Sequence, residues 1–336
     1  MIARIWHGTT KREHLETYSD FLKMKAVICT KYGPPEVLEV RDIEKPTPKD
    51  DEVLIKIRAT TVHIGDTKIR GFKPGLGKDQ DVLFKPIMRF MIGFRGPRKK
   101  ILGMELAGEI EAIGGDVTLF KPGDKVFAAT EMSFGAHAEY KCLPENGVLA
   151  KIPANMSYAE AAPVPNGGIT ALRFLRRANL QRNQKILIYG ASGSVGTFTV
   201  QLAKYMGAEV VGVCSTRNMN MVRSLGANKA IDYTREDFTK NAEMYDVVFD
   251  AVGKASPSQC KNILKPGGVY LNVLKSSGSL KLDIEELIFL QELMEKREIK
   301  AVIDKRYSLD QIVEAHKYVD RGHKKGHVII TVGSET

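Results

Sequence analysis

The residues most able to do chemistry are a glycine turn and the loop that follows the next strand. GASGSVG (190–196) sits between the apolar run Ile186 to Tyr189 and a helical pattern whose apolar face is Phe198, Val200, Leu202, Ala203 and Met206. A turn of this kind suits a phosphate. Main-chain N–H groups at a helix N-terminus face the anion, and a residue without Cβ lets it come close. Ser192, Gly193, Ser194, Val195 and Gly196 are therefore candidate cofactor contacts, with Gly193 serving close approach and Gly196 the packing of helix on strand. Ala191 replaces the first glycine of the usual G-x-G-x-x-G, and an ordinary strand-to-helix turn is the competing reading.

The context favours a dinucleotide. Glu209 to Cys214 reads as the second strand, and an adenosine ribose would lie at its end, where NAD sites carry a carboxylate. Here stand Ser215, Thr216 and Arg217, whose hydroxyls and guanidinium suit a ribose 2′-phosphate and so NADP(H), unless Arg217 is only a solvated loop cation. LGANKAIDY supplies a third strand, and Tyr233 after it either stacks on adenine or packs on its neighbours. Tyr245 to Gly253 and Gly267 to Val273 give a fourth and a fifth strand. This alternation predicts an α/β fold with a doubly wound parallel sheet. Ligands lie at the carboxyl ends of such strands, so Val252 is expected against the cofactor surface, and Asn272, Val273 and Leu274 are expected to offer backbone groups to a carboxamide.

From Met24 onward, over about nine-tenths of the chain, a series of motifs recurs in order. They are MKAVICTKYGPPEVLEV, DEVLIKIRATTVHIGDTKIRG, ILGMELAGEI, FKPGDKVFA, FGAHAEY, AAPVPNGGITAL, GASGSVG and LKPGGVYL. Together they resemble the zinc-free medium-chain dehydrogenase/reductases of the quinone oxidoreductase-like group, relatives of the NAD(P)-dependent alcohol dehydrogenases. The resemblance implies a GroES-like β-rich catalytic domain over 24–150, completed by 300–336, and a Rossmann cofactor domain over 151–299, with 1–23 as an extension.

The same resemblance would put zinc ligands within Val62 to Asp66 and at the middle of Gly103-Met104-Glu105, where this chain has His63 and Met104. No metal is expected, and Glu105 reads as a buried acid satisfied by backbone donors. Asn166 and Thr170 are implied to flank the nicotinamide, although Asn166 also suits a helix start. His63 and Asp66 are the catalytic candidates. His63 serves as hydrogen-bond donor, proton relay or structural histidine, while Asp66 orients a neighbour or caps a turn; His137 and Tyr140 rank below them. The expected activity is zinc-independent hydride transfer from NADPH to a quinone or α,β-unsaturated carbonyl. Alternatives are a zinc-independent alcohol or aldehyde dehydrogenase and a non-catalytic NADPH-binding or docking protein.

Composition bounds the remaining classes. The formal charge of +10 over 336 residues invites nucleic acid, yet the cations are scattered and Arg95 to Lys100 is a brief cluster without interleaved aromatics, so none is expected. Four separated cysteines suggest neither disulfides nor a cysteine-rich zinc site. With no signal-like apolar region and no integral membrane segment visible, a cytoplasmic protein is expected, with a small hydrophobic carbonyl or quinone as partner and a homodimer as candidate assembly. Two stretches depart from the pattern: residues 1–23, and the region after Leu274, where a strand and helix look shortened. Gly71 to Lys100 reads as a lid carrying Phe84, Met88, Phe90 and Met91, with a membrane or partner-docking patch as its rival.

Overall fold

A computed structural model describes residues 22–72, 89–90, 92–240, 242–275 and 282–333. Its centre is a five-stranded parallel sheet in the order β10-β9-β8-β11-β12. The strands are β8 (Lys185–Tyr189), β9 (Glu209–Cys214), β10 (Lys229–Asp232), β11 (Tyr245–Asp250) and β12 (Leu264–Asn272). β-Branched residues dominate because helices cover both faces, and Ile186, Leu187, Ile188, Val210 and Val211 are fully buried. The chain leaves β8 toward β9 on one side and later returns to pair β11 on the other. That reversal opens a crevice beyond the strand ends. β12 begins earlier than the sequence suggests, because Leu264 already pairs with Tyr245 before an irregularity around the following turn.

The second sheet has seven strands, running β13-β14-β3-β4-β5-β7 with β6 also paired to β3. These are β3 (Glu52–Thr61), β4 (Glu105–Ile113), β5 (Lys125–Ala129), β6 (Tyr140–Pro144), β7 (Leu149–Lys151), β13 (Ile303–Ser308) and β14 (His327–Thr331). A separate hairpin joins β1 (Lys23–Cys29) to β2 (Leu38–Glu44). The last strands therefore return to the first body. β13 lies parallel to β14 rather than extending the parallel sheet, which has no sixth strand among the described residues.

The principal helices are α1 (Ile64–Gly71), α2 (Val164–Arg177), α3 (Ser194–Tyr205), α4 (Ile284–Glu295) and α5 (Ile312–Asp320). One apolar cluster runs from Ala59, Ala107 and Phe127 of the antiparallel sheet, through Ile169 and Leu172 of α2, to Ile186 and Val210 of the parallel sheet. The crevice floor is thus a shared core. α1 is tied to α5 by Arg70, which donates through Nη1 to His316 Nδ1 at 3.2 Å and through Nη2 to Asp320. Residues 1–21, and Phe84, Met88 and Met91 of the expected lid, lie outside the described residues. Phe90 is exposed, with the Arg98 guanidinium 5.6 Å above its ring.

Gly196 is where α3 presses onto the strand. A Cβ there would stand 2.1 Å from the Gly190 carbonyl oxygen. Gly196→Ala should therefore destabilise the fold by about 1–3 kcal/mol, read as a lower urea midpoint with an unchanged m-value.

Candidate active site and cofactor cleft

The glycine turn is built for an anion. Gly190, at φ +84°, turns the chain sharply, and its N–H and that of Ala191 both donate to Val213 O on β9. Gly193 precedes α3 in an extended conformation without a side-chain cap, which leaves first-turn N–H groups to be satisfied from outside. A Cβ on Gly193 would meet nothing nearer than Gly190 O at 3.4 Å, an ordinary contact. The protein itself does not demand glycine there. The cradle at this residue fits a phosphate that approaches the backbone, and so fits a dinucleotide. Ser192, Gly193, Ser194 and Val195 are half-buried along the turn, while Gly196 is buried beneath it.

The loop after β9 faces the same end. Asn218, which the sequence reading missed, donates through Nδ2 to Ser192 Oγ at 3.1 Å and Ser215 Oγ at 3.2 Å, locking the two serines together. Thr216 Oγ1 donates to Asp232, so its hydroxyl proton is already committed. Arg217 is exposed and donates through Nη2 to His323 O at 2.8 Å. Tyr233 is 47% exposed and meets Tyr189 edge-on, with centroids 6.3 Å apart. Val252 packs over Gly190 at the end of β11. Asn272 is buried, its amide donating to Asp250 and its oxygen accepting from Leu274 N and Lys275 N; Val273 N donates to Asp250 O. Since both N–H groups of Val273 and Leu274 are engaged, this wall offers carbonyl oxygens rather than the full backbone set expected from the sequence.

Toward the antiparallel sheet lies a cavity of about 610 Å³ whose walls include His63, Met104, Met132, Leu149, Thr170 and Phe174. His63 caps α1, and its Nδ1 accepts the Gly65 N–H at 3.0 Å. Its pKa is lowered, first by burial and then against the raising effect of Asp66. Asp66 is fully buried, with one oxygen accepting from His63 N at 2.8 Å and the other from Gly103 N at 3.0 Å. Both oxygens are thus held by main chain, an arrangement that matches the turn-capping, neighbour-orienting side of the Asp66 reading rather than a reacting group and that fixes the His63 loop. His137 is buried in the core with Nε2 bonded to Thr61 O, and Tyr140 lies under the Lys45 ammonium, 4.0 Å from its ring centroid.

Asn166 joins the two bodies. Its N–H donates to Glu105 Oε2 at 3.0 Å and its side chain to Met104 O at 3.1 Å. Glu105 Oε1 accepts from Thr61 Oγ1 at 2.6 Å, and burial pushes the carboxyl up to about 7 despite these donors. Thr170 lies one turn further along α2 and lines the cavity. Two groups near the cleft left no local sequence signal. Arg173 lines the cavity with its charge paired to Glu286 at 2.6 Å, and Lys324 approaches Ser194 from the far end of the chain.

The profile of the alcohol dehydrogenase GroES-like domain matches residues 49–154, and that of the zinc-binding dehydrogenases matches 194–304. The chain is 33% identical over 326 residues to a 2-methylene-furan-3-one reductase of Solanum lycopersicum, covering 92% of this chain and 79% of that protein. It is 30% identical to an NADPH-dependent alkenal/one oxidoreductase, chloroplastic, of Arabidopsis thaliana, over 92% of this chain and 79% of the relative. The structure of the quinone oxidoreductase from Coxiella burnetii superposes with a TM-score of 0.80 at 28% identity, covering 93% of this chain and all of that one.

The chain belongs to the medium-chain dehydrogenase/reductases, in their quinone oxidoreductase-like group. Members are pyridine-nucleotide oxidoreductases, and the GroES-like and Rossmann bodies follow their architecture. The zinc implied by one profile's name does not fit the residues present. His63 Nδ1 is occupied by an N–H, Met104 offers only a thioether, and both Glu105 oxygens accept hydrogen bonds. Among the described residues no group of three or more His, Cys, Asp or Glu side chains is disposed to hold a metal ion.

Two outcomes follow from this geometry. Gly193→Ala should keep the thermal stability of the parent while weakening reduced pyridine nucleotide at least about tenfold, read by cofactor fluorescence titration. For Glu105, the folded carboxyl holds its proton up to about pH 7 against an ordinary value of 4.5, so its contribution to stability is present below about 4.5 and lost as pH rises to about 7. Denaturant titrations across this window should show that decline, of about 3 kcal/mol at most, and Glu105→Gln should remove it.

Proposed function

We propose that the protein is a zinc-independent, NADPH-dependent reductase of hydrophobic quinones or α,β-unsaturated carbonyl compounds. The observation that carries this reading is the Gly65 N–H donated to His63 Nδ1 at 3.0 Å. In the neutral ring that bond leaves the proton on Nε2, and His63 is among the residues that line a cavity walled largely by apolar side chains. Burial favours that neutral form at physiological pH. When bound, the nicotinamide supplies a hydride to the electron-poor carbon of the acceptor, whose oxygen gains negative charge before a proton from solvent completes the reduction.

His63 Nε2–H is the donor available to that oxygen, which lets charge develop without a metal. Asp66 acts through His63 by holding its main chain and is a positioning residue. Asn166, anchored by Glu105, sets the first turn of α2, and Thr170 follows on the cavity wall. Met104, Leu149 and Phe174 suit an acceptor with an apolar body. NADPH is favoured over NADH because the loop after β9 presents Ser215 and the exposed Arg217 where a carboxylate would repel a 2′-phosphate. The printed names of two relatives, a furanone reductase and an NADPH-dependent alkenal/one oxidoreductase, point the same way.

The test is steady-state oxidation of NADPH and NADH by a panel of quinones, enones and saturated alcohols, using metal-analysed protein. NADPH oxidation by quinone or enone without metal is expected. His63→Asn keeps an acceptor for the Gly65 N–H but removes the Nε2–H, and should lower kcat roughly 10²-fold with little change in KM for NADPH. Undiminished turnover in this variant contradicts the role of His63, and zinc-dependent oxidation of saturated alcohols contradicts the reading as a whole.

A further inference from the structure

A polar island sits inside the apolar core of the antiparallel body, next to the loop that carries His63. Its members are Arg70 in the last turn of α1, His137, and His316 of α5, each at most 1% exposed. Their chain neighbours Ala136 and Ala315, with Ile312 one turn before His316, belong to the buried apolar cluster of that body. Three nitrogens of the island, Arg70 Nε, His137 Nδ1 and His316 Nε2, have no hydrogen-bond partner among the described residues. A buried polar group left in this way is costly.

The partners that the two rings do have fix which of these atoms donates and which accepts. Arg70 Nη1 can only donate, and it lies 3.2 Å from His316 Nδ1, so that nitrogen accepts and the neutral ring carries its proton on Nε2. Burial, with the charges of His137 and Arg70, holds His316 well below the ordinary histidine value and keeps it neutral. The Thr61 carbonyl oxygen can only accept, and it lies 2.9 Å from His137 Nε2. In the neutral ring of His137 the proton is therefore on Nε2, and Nδ1 presents a lone pair. The two rings meet edge-on, with centroids 5.7 Å apart. A buried donor on one ring thus stands near a buried acceptor on the other, with no bond between them. Arg70 Nε–H is a second donor of the same island.

We infer that a water molecule is bound between His137 and His316, accepting from His316 Nε2–H, donating to His137 Nδ1 and offering its second lone pair to Arg70 Nε–H. The two ring atoms call for a molecule that both donates and accepts, and about three bonds is the usual number for an enclosed water. The site bears on the reaction, because His137 Nε2 lies 3.9 Å from Asp66 Oδ2, the oxygen that accepts the His63 N–H. His137 and His316 are then positioning residues. The water holds the His137 ring, the ring backs Asp66, and Asp66 fixes the main chain of His63. This consequence for turnover rests on the function proposed above, whereas the water site does not.

The test joins crystallography to three variants: His316→Phe, His137→Phe and the two combined. A high-resolution crystal structure of the wild type should show a water within about 3.2 Å of both His316 Nε2 and His137 Nδ1. Density that puts the two nitrogens in direct contact, or that shows no water between them, overturns the site. Each single replacement strands a nitrogen of the other ring, so the double variant should lose less in urea midpoint than the sum of the two singles. Additive losses speak against a shared water. Turnover separates positioning from stability alone. Where the variant is fully folded, His316→Phe should lower kcat for quinone or enone about 10-fold with KM for NADPH within about twofold, and His316→Gln, which restores an N–H near the place of Nε2, should recover most of the loss. An unchanged kcat in His316→Phe, or equal losses in the two variants, refutes the positioning role. Wild type that reduces no acceptor overturns the function proposed above, while the crystal structure and the urea titrations still decide the water site.

Discussion

The cleft depends on one buried carboxylate. Glu105, at the start of β4 in the antiparallel sheet, accepts the main-chain N–H of Asn166 at the first turn of α2. That contact fixes where the cofactor body begins relative to the sheet that carries His63. It also costs something, since a carboxylate buried at 1% exposure must be repaid by the Thr61 and Asn166 donors or keep its proton, and its elevated pKa records how close that balance is. Around it the two bodies share one apolar core, so the joint is packed as well as hydrogen-bonded.

Electrostatically the cleft is arranged for an anionic guest. Lys324 bears on both His63 and His327, each of the three is disfavoured as a cation by burial, and among the described residues no carboxylate is in contact with Lys324. The helix start at Ser194 adds its own positive end. Arg173, by contrast, is neutralised by Glu286, so the cavity wall is left mainly apolar while the phosphate end is left cationic. This separation suits a reactant pair in which the charged partner is the cofactor and the apolar partner is the acceptor.

Much of the fold was legible because its signals are local. The strand, glycine turn and helix from Lys185 to Tyr205 follow from hydrophobic period and the need for a small residue at Gly196, and the alternation that follows implies a parallel sheet, whose strand order only the structure supplies. The roles of Asp66 and Asn272 were harder to read, because both could face a ligand by position yet spend their polar atoms on nearby main chain. Asn218 was hidden in a loop read only for the hydroxyls of Ser215 and Thr216 and the guanidinium of Arg217. Lys324 was out of reach altogether, since its partner is made by a strand that leaves the cofactor body and returns through the other sheet. The pairing of β13 with β14 left no signal in the sequence after Leu274.

The most direct test of the account is where the hydride goes. Metal-stripped protein should be given NADPH deuterated at the transferred position together with an open-chain α,β-unsaturated ketone, and the product analysed by NMR. Deuterium on the carbon β to a carbonyl that remains intact is the result this account predicts, because the proposed conjugate hydride delivery leaves charge on an enolate oxygen, the oxygen that His63 is proposed to support. Deuterium on a newly formed carbinol carbon, or transfer that requires added zinc, would contradict it.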